Sequence, residues 1–122
     1  MTPTKLSGTA RAALPTATAA KYNKVPIYRG VIWRFPMALR EIAEVSVFGA
    51  GKHDQPIGSL TYLDVPDAPN VYLEAEQRHV LAEAIEGPVN HEDGGLLHKA
   101  QKAWNALADL EVYLRRNLEP HK

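Results

Sequence analysis

A chain of 122 residues can bury one modest core, so a single domain is expected. Fourteen basic and fourteen acidic residues cancel, which removes the global field that would draw the protein to nucleic acid or to an anionic membrane. The absence of cysteine excludes disulfides, thiolate nucleophiles and cysteine-based zinc sites together, so any metal must be held by oxygen and imidazole.

Met1-Thr2-Pro3-Thr4-Lys5 does not lead into an apolar signal region, and the apolar runs fall far short of the roughly 18 residues of a membrane span. A soluble, cytoplasmic protein is expected. Residues 1–20 are rich in Thr and Ala and are broken by Pro3, Gly8 and Pro15, so they read as an arm without regular structure, ahead of a functional domain over 21–122. From Ile27 to Phe35, aromatics and bases alternate with no clean period of two. That segment is either extended or a loop that frames a site.

Pro36 at a first-turn position opens the first helix, and Gly49 and Gly51 close it, giving a span of Pro36 to Phe48. Ala38, Leu39, Ile42, Val45 and Phe48 form its apolar side; Arg40, Glu41 and Glu44 fall on the other. Gly58, Pro66 and Pro69 limit the next stretch to short extended pieces, with a weak hairpin signal around Leu60-Thr61-Tyr62-Leu63. Asn70 can cap a second helix, Val71 to Ile85, ended by Gly87-Pro88. Val89-Asn90-His91-Glu92 reads as a polar connection.

The third helix is the longest, from Asp93 as cap to Arg116. Leu96, Ala100, Ala103, Trp104, Leu107, Leu110 and Leu114 recur at steps of three and four, a face that should be buried. Beside it runs a polar stripe of His98, Gln101 and Asn105, which borders either solvent or a pocket. The expected fold class is therefore all-α: a bundle of three main helices with an irregular insertion.

Glu41 and Glu44 lie one helical turn apart, close enough for both to hold a hard divalent cation through oxygen; a solvated turn with Arg40 paired to Glu44 is the structural alternative. Glu76 and His79 repeat the spacing on the second helix, now as carboxylate and imidazole. His91-Glu92-Asp93 is followed by two glycines and lacks a third spaced histidine, which argues against a His-Asp phosphohydrolase. Gly49-Ala50-Gly51-Lys52 follows no strand and is not a P-loop, although Lys52 can reach a phosphate. No nucleophile elbow surrounds the few serines.

The order Lys21-Tyr22, Pro36 with Glu41, Phe48-Gly49-Ala50 with Lys52, Arg78-His79, and Asp93-Gly94-Gly95-Leu96-Leu97-His98 with Asn105 resembles the phage dATP/dGTP diphosphohydrolases. These are small all-α relatives of the MazG-like nucleotide pyrophosphohydrolases. The sequence departs from the pattern in places. Arg40 precedes Glu41 where the wider clan has adjacent glutamates, His79 stands where an aspartate is expected, and Gln101 replaces a second histidine.

The resemblance implies magnesium or manganese bound by carboxylates on facing helices, and hydrolysis of a nucleoside triphosphate to monophosphate and pyrophosphate. On it, Glu41 and Glu44 are the catalytic candidates, and Glu41, Glu44, Glu76 and His79 the metal ligands. Lys52, Arg78 and Lys102 are candidates for the phosphate charge; Trp33 and Asn105 for the base. It also implies a homo-oligomer, tetramer preferred over dimer, that completes the core between subunits. A version from phages that replace adenine with 2-aminoadenine converts dGTP to dGMP for modified-purine synthesis, so dGTP is the expected substrate, ahead of dATP or GTP. A helical oligomerisation or regulatory-binding module without chemistry is the alternative.

Overall fold

The computed structural model describes residues 24–118, the side chain of Leu118 excepted. The expected arm and Lys21-Tyr22 lie outside the described residues. The chain divides into two compact units, 1–36 and 37–122.

In the first unit, Tyr28–Ile32 forms a π-helical turn rather than an extended segment or an irregular loop. The amide of Trp33 closes it by donating to the carbonyl of Tyr28 at 2.6 Å, and the two rings lie 6.0 Å apart. Gly30 and Phe35 continue the pattern of local bonds, donating to the carbonyls of Pro26 and Val31. Sequence periodicity missed it because five residues hold little more than one helical turn.

Three helices dominate the remainder: α1 (Pro36–Lys52), α2 (Ala68–Glu86) and α3 (His98–Leu118). The all-α expectation holds, with corrections at the boundaries. α1 runs through Gly49 and Gly51 to Lys52; the break falls at Asp54, whose φ of 54° supplies the left-handed turn. α2 starts at Ala68 behind Asp67, itself left-handed at φ 57°. Asn70 is thus inside the helix, where its side-chain amide donates to the Asp67 carboxylate at 3.0 Å instead of capping. The expected hairpin at 60–63 is a 3₁₀ turn, Thr61–Asp64.

The hairpin of this fold is instead the 89–97 connection. β1 (Val89–Asn90) and β2 (Leu96–Leu97) pair antiparallel around a 3₁₀ turn, His91–Asp93. Asp93 therefore belongs to that turn and not to the cap of α3. The Asn90 side-chain oxygen accepts from the amides of Glu92 and Asp93, and Gly94 and Gly95, at φ 66° and 82°, carry the chain back.

Ala68 and Tyr72 at the start of α2 cluster with Ala108 and Val112 late in α3, while His79 meets His98, so the two helices run antiparallel. Tyr62, Leu63, Val65 and Trp104 close over that core, and the Tyr72 hydroxyl donates to the carbonyl of Tyr62. The face of α3 turned inward is the stripe of His98, Gln101, Ala108 and Val112, together with Ala100. This corrects the expected face in part: Ala100 is buried and Trp104 packs on the core as expected, but Leu107 and Leu110 remain 48% and 53% exposed. Small Ala108 admits the Tyr72 ring, and the amide of Gln101 finds partners inside, so Gln101 is buried with its side-chain oxygen and nitrogen both bonded.

Candidate active site

One face of α1 carries Met37, Arg40, Glu41 and Glu44, then Val47, Phe48, Gly51 and Lys52, at steps of one, three and four. The first four, with Gly94, Gly95 and Leu96, line a cavity of about 390 Å³. The second four, with Glu92 and Asp93, line one of about 580 Å³. Both open between α1 and the 89–97 hairpin, where the sequence predicts a polar connection over 89–92 and the start of the third helix from Asp93.

Hydrogen bonds hold that hairpin rigid from below. Buried Asn90 donates to Oε1 of buried Gln101 at 2.9 Å, and Gln101 Nε2 donates to Oδ2 of Asp93 at 2.8 Å. The other Asp93 oxygen faces Lys52 Nζ at 3.5 Å. The Glu92 carboxylate has no hydrogen bond or ion pair among the described residues; its backbone amide alone is engaged, with Asn90. Gly94 packs against Phe48 so closely that a Cβ there would lie 3.1 Å from the ring.

A family model described as dATP/dGTP diphosphohydrolase, N-terminal, matches residues 16–121. The chain belongs to that family. No curated protein and no solved structure matches it. The family name is that of a nucleotide diphosphohydrolase.

Glu41 and Glu44 share the smaller cavity, and the Arg40–Glu44 pair that would have made them a solvated turn does not form among the described residues. Two hard oxygen donors suit a magnesium or manganese ion, which commonly takes one or two carboxylates and fills its remaining positions with water and substrate phosphate. Glu76 and His79 do not line this cavity, and among the described residues no three His, Asp or Glu side chains converge on one point. The four-ligand set is thus not assembled here; the Glu41–Glu44 half of it is.

His79 is engaged elsewhere. Its Nδ1 lies 3.0 Å from Nδ1 of His98, so one ring must donate and the other accept. His98 is 2% exposed, and its Nε2 lies 3.4 Å from a Glu86 oxygen, outside hydrogen-bond geometry. Burial pushes the His79 pKa down, His98 and Arg78 push the same way, and Asp93 opposes them. Of the basic candidates, Lys52 lines the larger cavity, whereas exposed Arg78 and Lys102 line neither. Asn105 donates to the carbonyl of Gln101 on its own helix at 2.8 Å. Trp33 lies in the first unit and is 68% exposed.

Arg40, Phe48 and Glu92 line the cavities yet were not singled out as site residues. The three- and four-residue steps on α1 were a usable signal for the first two. Glu92 had none, because its position depends on a hairpin invisible to periodicity.

Proposed function

We propose that this domain hydrolyses a purine deoxynucleoside triphosphate, dGTP ahead of dATP or GTP, to the monophosphate and pyrophosphate with magnesium or manganese. The observation that carries the reading is the pair of unpartnered carboxylates, Glu41 and Glu44, in one cavity beside Arg40. When bound, a divalent cation supplies charge neutralisation at the triphosphate and acidifies the attacking water. In this hydrolysis a water oxygen bonds to the α-phosphorus as the bond from that phosphorus to the α–β bridging oxygen breaks; pyrophosphate leaves and the water's proton passes to solvent.

The chain's own residues set the geometry. Glu41 and Glu44, one turn apart on α1, would hold that cation and with it the reacting end of the substrate. Arg40 adds a planar fork for phosphate oxygens. The Gly94-Gly95 turn forms the opposite wall with backbone alone, which lets a bulky anion approach.

Metal-stripped protein supplemented with manganese or magnesium is expected to convert dGTP to dGMP and pyrophosphate, identified chromatographically. If a full panel of deoxynucleoside triphosphates yields no monophosphate with either metal, the reading fails. We further propose a homo-oligomer, tetramer preferred over dimer. It is supported by apolar side chains left outside the core on both packed helices, among them Leu81, Ile85, Leu107 and Leu110. A monomeric mass by light scattering at micromolar concentration would reject it.

A further inference from the structure

Beside Lys52, the larger cavity carries two features that a phosphate site does not require: an aromatic ring and the Glu92 carboxylate, which has no partner among the described residues. We infer that it is the base subsite and that Glu92 and Lys52 read guanine from opposite sides. The inference rests on the nucleotide reading above and assigns Lys52 to the base instead of to phosphate.

Three observations support the assignment. The ring of Phe48, half-buried, is backed by Gly94 at contact distance, and with Val47 it offers an apolar surface for a planar base. Of the two acidic residues in the lining, Asp93 is committed to Gln101, Asn90 and Lys52, whereas exposed Glu92 has no side-chain partner among the described residues. Lys52 is paired with Asp93 by charge at 3.5 Å, with no hydrogen bond between them, so its three donors stay available to a ligand.

Guanine fits that pair. Its N1–H and 2-amino group are adjacent donors, which a carboxylate accepts together, while O6 and N7 are acceptors suited to an ammonium donor. Adenine inverts the pattern: it turns a 6-amino donor toward the lysine and an unprotonated N1 toward the carboxylate. Pyrimidines are too short to reach both. The subsite also lies at the right place on α1, since Phe48 follows Glu44 by one turn, about 6 Å along the axis. A sugar then spans the step between base and reacting phosphate.

The test uses dGMP and dIMP, which differ only in the 2-amino group, in titration calorimetry with the full chain. Wild-type protein is expected to bind dGMP about tenfold or more tightly than dIMP. Glu92→Ala should bring the two affinities to within about twofold, because the acceptor for the amino group is gone. Lys52→Met should weaken both ligands alike and keep their ratio, since both carry O6. Glu92→Gln, which keeps one acceptor oxygen, should fall between and serves if the alanine variant does not fold. An unchanged ratio in the Glu92 variants, equal wild-type affinities, or no binding of either nucleotide overturns the assignment. Parallel assays on dGTP separate the two readings. Selective binding without turnover retains the base subsite and removes the hydrolase, whereas turnover with a ratio insensitive to Glu92 does the reverse.

Discussion

α2 and α3 share a fully buried core, whereas α1 is held through half-buried apolar side chains and a few polar contacts. Ala68, Tyr72, Ala108 and Val112 are buried between the first two, and α1 contributes no buried residue. Its attachments include a hydrogen bond from Trp104 Nε1 to Ser46 Oγ at 2.9 Å, the Lys52–Asp93 pair, and the Phe48 ring against Gly94. Both cavities lie on this less firmly held helix. Candidate ligands and buried core are therefore divided between helices, so substitutions at the former leave the α2–α3 core residues untouched.

That division can be broken by substitution. Glu41→Gln and Glu44→Gln preserve size and helix propensity while removing charge from a helix with no buried residue. Turnover of dGTP should fall by at least about a hundredfold, with helical circular dichroism and melting temperature unchanged. Unfolding in place of inactivation would mean that α1 is structural after all. Val112→Asp makes the opposite test, placing an unpaired charge in the tightest part of the core. Chemical denaturation should show a loss of about 3–5 kcal/mol; a loss under about 1 kcal/mol would deny that the α2–α3 core dominates stability.

Gln101→Leu sits at the join between the two regions. It strips Asp93 of its buried donor and leaves the Asn90 amide short of a partner, so denaturation should report a loss of about 1–3 kcal/mol. Lys52-dependent binding of dGMP should weaken with it, because Asp93 is no longer held. Unchanged stability would show that the network is decorative. The smallest effect is in pH. His79 has its pKa lowered from the ordinary 6.5, so the unfolded chain takes up its proton first. The associated stability is present above 6.5 and is lost as pH falls from there through the lowered value. Melting temperature should drop between pH 7 and pH 5, and His79→Gln should flatten that part of the profile. An identical slope in the variant would assign the drop to other groups.

Legibility in the sequence followed the range of the signal. The three helices were readable because Pro36, Gly87 and the long run of spaced apolar residues in α3 are local. The orientation of α3 was not, since the choice between burying Leu107 and burying Gln101 depends on what Asn90 and Asp93 offer from another part of the chain. Glu41 and Glu44 were legible as a pair from spacing alone. The cavity that joins them to Gly94 and Gly95 was not, because the hairpin has strands of two residues each and leaves almost no alternation to read.

Gly94 and Phe48 are the pair with the furthest consequence. The glycine is fixed twice over, by its left-handed backbone and by the ring against it. Any side chain at 94 meets both a conformational and a steric objection, and trimming Phe48 relieves only the second. In a combinatorial library covering both positions, a residue other than glycine at 94 should survive mainly beside a smaller residue at 48, with asparagine or aspartate the most tolerated. Such survivors would carry a wider cavity beside Phe48, so if the base subsite is as proposed, this one turn limits how far substrate preference can drift while the fold is kept.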